Sequence, residues 1–262
     1  KMLLVIDVGN TNMKLGVYDG DVLKKSWRLS TEAKRTADEL GMILYDLFKN
    51  VGVEFQDIDG IIMSSVAPML NYTVEHMCTY YMKKKPVFVD ATLKTGLKIK
   101  YNNPIELGAD RIVDAVGAHF IYGGPLIVVD FGSATTFNAV TADGTFLGGA
   151  ICAGVKTASE SLVNTAAKLP RFELVPPKDA IARSTIEGMQ SGAVYGYAGQ
   201  VDYIVRKFRE NPLMKDAKVI ATGGLSELVV NADKSIIDVV DRSLSLKGLK
   251  ILYDMNKEGN NE

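Results

Sequence analysis

One pattern is written twice in this chain. Val5–Asp21 reads VIDVGNTNMKLGVYDGD and Val128–Thr145 reads VVDFGSATTFNAVTADGT. Each runs through two β-branched residues, an Asp, one apolar residue, a Gly, several small polar residues and a second apolar run. Each then reaches an Asp-Gly turn, Asp19-Gly20 in the first copy and Asp143-Gly144 in the second. A strand-length run that is apolar throughout, such as MLLVIDV, is one buried on both faces of a sheet. Asp-Gly between apolar runs signals a hairpin. The pattern therefore predicts two antiparallel meanders, each with an aspartate, Asp7 or Asp130, at the end of its first strand.

Helix and strand signals alternate after each meander. TADELGMILYDLFKNVG carries Leu40, Ile43, Leu44, Leu47 and Phe48 at helical spacing and stops at Gly52. IDGIIMSSVAP reads as a strand, a helix opens at Pro68, and KPVFVD is a short strand. LGADRIVDAVGAHFIYG reads as a helix before the second meander. Helices at 156–168 and 185–208, the strand AKVIATGG, a short helix at 225–230, the strand IIDVVD and a last helix to Met255 follow it. The tail NKEGNNE is expected to fray. The reading is an α/β fold of two similar domains, residues 1–107 and 108–262, facing each other across a cleft with no low-complexity linker between them.

At 262 residues, 47% hydrophobic and 23% charged, the chain has an ordinary globular composition and room for two cores. A net charge of −1 argues against the electrostatic footprint of a nucleic-acid binder. The one compact basic run, Met82–Pro86, reads as a solvated helix end. No apolar stretch is long enough for a bilayer, and Asp7 interrupts the first apolar run too early for a secretory signal. Cys78 and Cys152 lack metal-ligand spacing, which suits reduced thiols. His76 and His119 are isolated and read as structural. The expectation is a cytoplasmic protein with no nucleic-acid and no membrane partner.

The first turn has chemistry of its own. Gly9 lets the backbone turn tightly and approach a ligand. Asn10, Thr11 and Asn12 set side-chain donors beside backbone N–H groups, and Lys14 adds a positive charge, so the turn can cradle phosphate. It is neither a Walker loop nor a dinucleotide fingerprint. The second turn, Gly132, Ser133, Ala134, Thr135 and Thr136, is rich in hydroxyls but has no lysine. One Asp-x-Gly after a strand is an ordinary turn. Two, each with the same strand-turn-strand continuation, point to a polyphosphate gripped from both sides, with Asp7 holding a hydrated Mg²⁺. A third turn, VIATGGLSE at Val219–Glu227, offers Gly223-Gly224 to an adenine ring or ribose, and a plain strand-to-helix turn explains it equally well.

Two phosphate turns and one adenosine turn, in this order, resemble the actin, sugar-kinase and Hsp70-like ATPase superfamily, whose fold is two duplicated ribonuclease H-like domains around a cleft. NNPIELGADRIVDAVGA at Asn102–Ala118, with DVGNTNMKLG, DFGSATTF, FLGGAICAG, TAAKLP and STIEGMQSG, is similar to type III pantothenate kinase. The matches spread over nearly the whole chain, and GNTN with LGADR is the most specific combination. The resemblance implies ATP-dependent phosphorylation of pantothenate to 4′-phosphopantothenate, the first step of coenzyme A synthesis, by in-line phosphoryl transfer. It implies that Asp7, Val8, Gly9, Asn10, Thr11, Asn12, Met13, Lys14 and Ser133 contact ATP. It assigns Tyr101, Gly108, Ala109, Asp110, Arg111 and Thr185 to pantothenate, with Asp110 as the catalytic base. Asp130 would bind a monovalent cation, K⁺ or NH₄⁺, and Asp7 would bind Mg²⁺ through water. A cytoplasmic homodimer with its active site near the interface is implied as well. Two positions depart from the family pattern. Ser133 stands where Thr is usual, which keeps the hydroxyl, and Ala153 stands in a turn that often has Pro.

The residues read on their own agree with this chemistry but leave plainer alternatives. Arg111 can pair with a carboxylate bidentately, or form a surface ion pair with Asp114 or Glu106. Asp110 can accept a hydroxyl proton, or serve the dipole of its helix. Tyr101 can pack, and Thr185 can cap a helix. A non-catalytic regulator of the same ancestry could lose Asp110 or a phosphate turn, and this chain keeps Asp7, Asp110 and Asp130. A kinase of another small hydroxylated acid would keep them too.

Overall fold

The computed structural model describes residues 2–90 and 92–257; residues 258–262 of the tail expected to fray lie outside them. In chain order the elements are β1 (Met2–Val8), β2 (Asn12–Asp19), β3 (Val22–Ser30), α1 (Ala37–Lys49), β4 (Ile58–Ser65), α2 (Pro68–Met82), β5 (Val87–Phe88), β6 (Lys98–Ile99) and α3 (Ala109–Tyr122). Then come β7 (Leu126–Phe131), β8 (Ala134–Val140), β9 (Thr145–Ala153), α4 (Val155–Thr165), α5 (Thr185–Arg209), β10 (Lys218–Thr222), α6 (Ser226–Ala232), β11 (Val239–Val240) and α7 (Leu244–Asn256). Both meanders are present. The short β6 was not legible, because two residues carry no periodicity. The fourth helix ends at Thr165 rather than 168.

The chain forms two compact units. One comprises Lys1–Gly96, Asn103–Gly117 and Leu244–Glu262; the other comprises Leu97–Asn102 and Ala118–Ser243. This division departs from a single boundary at 107/108. The start of α3 and all of α7 join the first unit, while β6 joins the second.

The first unit has sheet order β3-β2-β1-β4-β5. A tight turn makes β1 and β2 antiparallel, and the crossover through α1 lets β1 and β4 run parallel. α1 starts from a capping box: the Thr36 hydroxyl accepts from Glu39 N–H, and the Glu39 carboxylate accepts from Thr36 N–H at 2.7 Å. Leu4, Ile6 and Val8 of β1, Met13 and Leu15 of β2, and Ile61 and Met63 of β4 face a core shared with α1 and α2. Period-two alternation then turns Asp7, Lys14 and Ser64 to the opposite face. α7 covers part of that face, packing on β1, β2 and β4.

The second unit has sheet order β11-β10-β7-β8-β9-β6. Ile127, Val129 and Phe131 of β7, Phe137 and Ala139 of β8, and Val219 and Ala221 of β10 pack against Ala198, Val201 and Val205 of α5. The alternation again leaves the aspartate, Asp130, on the face turned away from this core. Cys78 and Cys152 are both free, and burial pushes the Cys78 thiol up to about 12. The basic run ends α2 as expected, with Lys83 in the left-handed region at φ 56°. Among the described residues, no helix is long and apolar enough to cross a membrane.

α3 and α7 meet backbone to backbone. A Cβ at Gly248 would overlap the Val113 carbonyl oxygen, and one at Gly117 would lie 3.0 Å from the Leu244 carbonyl oxygen. The position of α3, which carries the GADR segment, therefore depends on glycine at the crossing. Gly248→Ala is expected to destabilise the protein by about 1–3 kcal/mol, the range for overpacking. Urea unfolding of the variant against the wild type measures this.

Candidate active site

In the first unit the polar turn between β1 and β2 is closed by Gly9 N–H donating to Asn12 O at 3.0 Å. Thr31 clamps it from the end of β3. Its N–H donates to Thr11 O at 2.9 Å and its hydroxyl donates to Gly9 O at 2.8 Å. Asn10, Thr11 and Asn12 are exposed, as a ligand-facing turn requires. Val8 and Met13 are not exposed: their side chains sit in the core, so these two residues can offer a ligand only backbone atoms. Asp7 lies opposite Lys14 on β2 and Ser64 on β4. The Ser64 hydroxyl donates to Asp7 Oδ1 at 2.9 Å and is fully buried.

The GADR segment is brought to the same site. Asp110 is half-buried in the first turn of α3, and its Oδ1 accepts from Arg111 N–H at 2.8 Å. A Cβ at Gly108 would come within 2.6 Å of that Oδ1, so glycine there makes room for the carboxylate. Burial pushes the Asp110 carboxyl above its ordinary value of 3.8. The Asp7 carboxylate pushes the same way, against the Arg111 N–H bond and guanidinium. A carboxylate serving only the helix dipole needs no burial, and burial costs it hydration. This one is desolvated and close enough to feel a second negative charge, the pattern expected of a functional carboxylate. Arg111 is only 6% exposed, so a surface ion pair does not describe it.

In the second unit Asp130 stands opposite Thr136 on β8 and Thr222 on β10. The third glycine turn comes directly against it: Gly223 has φ +92°, and a Cβ there would lie 2.6 Å from Asp130 Oδ1 and from Phe131 O. Ser133 is exposed, and its carbonyl oxygen ties the second turn to α4 by accepting from Gly154 N–H at 3.0 Å and the Thr157 hydroxyl at 2.8 Å. Tyr101 is half-buried, edge-to-face with Phe146 at 6.2 Å. Thr185 is exposed at the start of α5. It does not cap the helix, because Ser184 does, accepting from Glu187 N–H at 3.3 Å.

Asp7–Lys14 and Gly108–Arg111 thus belong to the first unit, whereas Tyr101, Asp130, Ser133 and Thr185 belong to the second. Sequence reasoning missed Thr31, Ser64, Thr157 and Thr222. Ser64 and Thr222 are hydroxyls in apolar runs, and Thr31 and Thr157 are hydroxyls in polar stretches, which mean nothing until the fold brings them to their partners. Among the described residues no group of three or more His, Cys, Asp or Glu could hold a metal ion. Single carboxylates with hydroxyl and carbonyl oxygens suit hard cations that keep water or substrate oxygens as ligands.

The fold has solved counterparts. A conserved Campylobacter jejuni protein, proposed to be a Baf family transcriptional activator, matches with a TM-score of 0.62 at 20% identity, over 97% of this chain and 99% of that one. A Sinorhizobium meliloti protein, proposed to be a 2-dehydro-3-deoxygalactonokinase, matches at 0.57 and 12%, over 95% of each chain. Component A of (R)-2-hydroxyglutaryl-CoA dehydratase from Acidaminococcus fermentans matches at 0.52 and 16%, over 99% of each. At these identities the likeness is one of fold, the duplicated actin-like ATPase fold. The model of the family described as type III pantothenate kinase matches residues 3–207 and so takes in both Asp-x-Gly turns and the GADR segment. The chain is a kinase and belongs to the type III pantothenate kinase family.

Proposed function

We propose that this protein transfers the γ-phosphoryl group of ATP to the primary hydroxyl of pantothenate, with Asp110 as general base. The observation that carries the reading is the desolvated Asp110 carboxylate beside Asp7, held by the Arg111 N–H. Asp7–Lys14 and Ser133 hold the phosphates of ATP. Arg111 pairs with the pantothenate carboxylate, and Tyr101, Gly108, Ala109 and Thr185 complete the substrate's surroundings. Mg²⁺ held through water at Asp7, and K⁺ or NH₄⁺ at Asp130, would supply neutralising charge to the phosphates. As the hydroxyl oxygen bonds to phosphorus and the bond to the departing ADP breaks, the hydroxyl proton passes to Asp110. A carboxyl with a raised pKa accepts that proton more readily than an exposed aspartate does.

Asp110→Asn is expected to fold and to lose about 10²–10⁴-fold in turnover. The sign of the pKa shift adds a second expectation. Because the folded-state pKa is raised, ionising Asp110 costs stability as pH climbs from the unfolded toward the folded pKa, and that cost persists above it. Asp110→Asn should therefore be at least as stable as wild type at pH 7. The acid limb of wild-type turnover should fall above the ordinary value of 3.8. A coupled ADP-release assay, with glycerate and acetate as competing acceptors, and thermal unfolding measure these. A folded Asp110→Asn with wild-type turnover would remove the base assignment.

Asp130 repeats the position of Asp7 but faces Thr136 where Asp7 faces Lys14. Activity should accordingly require K⁺ or NH₄⁺ and be poor in Na⁺ alone. Full turnover in Na⁺ buffer rigorously freed of K⁺ would contradict this.

We also propose a homodimer built on α5. Gly188, Gly192, Gly196 and Gly199 lie on its exposed side, where an added Cβ would meet nothing within 4 Å. Packing among the described residues of the chain therefore does not account for them. Glycine inside a helix costs about 0.5–1 kcal/mol relative to Ala, and close approach of a second helix would offset that. Exposed Ile186, Tyr195 and Tyr203 belong to the same helix. On this reading Thr185 completes the pocket of the partner subunit. Mixing inactive Asp110→Asn with inactive Thr185→Arg, and letting subunits exchange, should restore activity. A dead mixture with exchange confirmed would mean that both residues serve one subunit's pocket.

A further inference from the structure

We infer that Thr31 is the residue that positions the first phosphate turn: its hydroxyl fixes the Gly9–Asn10 peptide so that the Asn10 N–H faces the phosphates of ATP. The inference rests on the reading of Asp7–Lys14 as the phosphate site and goes beyond it by naming what gives that turn its polarity.

A loop that binds an anion has to present N–H groups and turn its carbonyl oxygens away. The residue types Asn10, Thr11 and Asn12 do not secure this, and Gly9 works against it. Glycine is required there, because a Cβ would lie 2.9 Å from Asn12 O. The same glycine leaves the peptide that follows it free to rotate, since it has no side chain to confine its backbone angles. A rotated Gly9–Asn10 peptide would point a carbonyl oxygen where the N–H belongs.

Thr31 removes that freedom. It is half-buried, one residue past the end of β3, and it holds two carbonyl oxygens of the turn. Its N–H donates to Thr11 O at 2.9 Å and its hydroxyl to Gly9 O at 2.8 Å. A trans peptide sets the C=O of one residue and the N–H of the next on opposite sides. Holding Gly9 O on the Thr31 side therefore turns the Asn10 N–H to the other side, and holding Thr11 O does the same for the Asn12 N–H. Asn10 is exposed, and its N–H has no backbone acceptor among the described residues.

Thr31 is itself braced. The Arg35 guanidinium donates to Ser30 O at 3.0 Å and pairs with Glu32 at 3.1 Å, and the Ser30 hydroxyl donates to Glu32 Oε1 at 2.9 Å. Ser30 ends β3 directly opposite Asn12. The Thr31 hydroxyl is thus carried on a segment tied to the ladder on one side and to Arg35 on the other. A clamp needed only to close the hairpin would be redundant, because the Gly9 N–H already closes it by donating to Asn12 O at 3.0 Å.

The test separates the phosphates from the rest of the nucleotide. Thr31→Val keeps the shape and the N–H and loses the hydroxyl. In the ADP-release assay it should raise KM for ATP about tenfold, equivalent to ~1.4 kcal/mol, with the loss carried by KM rather than by kcat. KM for pantothenate should stay at the wild-type value. Inhibition by inorganic tripolyphosphate at fixed Mg²⁺ should weaken by the same factor, and inhibition by adenosine, which has no phosphate, should not change. Thr31→Ser, with the hydroxyl retained, should restore the wild-type constants. A Thr31→Val protein that melts lower but keeps the wild-type constants would overturn the inference and leave Thr31 a residue of the fold alone. Equal weakening of tripolyphosphate and adenosine, or a matching rise in KM for pantothenate, would overturn it too. A wild type that tripolyphosphate does not inhibit, with KM for ATP unchanged in Lys14→Ala, would overturn the phosphate reading of Asp7–Lys14 together with this one.

Discussion

A carboxylate that ends a strand packed on both faces has to be satisfied by its neighbours on the adjoining strands. In the first unit that demand is met by the hydrogen bond from the buried Ser64 hydroxyl to Asp7, and much of the local architecture serves it. The bond exists because β4 lies beside β1 in parallel register, which in turn requires the α1 crossover. It places Asp7 on the face away from the core formed with α1 and α2. The turn that follows is left exposed and is held by Thr31 rather than by the core. Shifting the β1–β4 register by one residue would turn Asp7 into the core and break the arrangement.

The same logic explains why Asp110 is costly and why it is kept. α3 is pressed onto α7 at glycines, which brings its first turn to the carboxylate face of the sheet. The price is a desolvated carboxyl beside a second one, offset in part by the Arg111 N–H and guanidinium. A protein selected only for stability would replace it with an amide or an apolar residue. Its presence alongside the Asp7 turn is what ties the proposed base to the proposed phosphate site within one unit.

The repeat that opens both halves was legible from end to end, since two buried strands, a polar turn and an Asp-Gly hairpin all write themselves in local composition. So were the long helices, whose apolar residues recur at helical spacing, and the GADR segment, whose residue types match one family. Less legible was the role of single hydroxyls. Ser64 and Thr222 sit in apolar runs that read simply as strands. Nothing local marks them as neighbours of Asp7 and Asp130. Thr185 looked like a helix cap, yet Ser184 one residue earlier takes that bond. Both residue types cap well, and only the backbone path into the helix selects between them.

The sequence by itself determined the two meanders, the aspartate at the end of each first strand and the family to which the chain belongs, because these depend on residues close together in the chain. The tertiary structure decided which strands lie side by side, and hence which hydroxyl meets which carboxylate. It also decided that the last helix and the start of α3 complete the first unit while the short β6 edge strand completes the second. Those outcomes are set by long-range pairing and by backbone contact at Gly117 and Gly248, where the absence of a side chain matters only once the second helix is in place. No periodicity records a contact between residues that far apart, so a sheet neighbour can be known only after the sheet has formed.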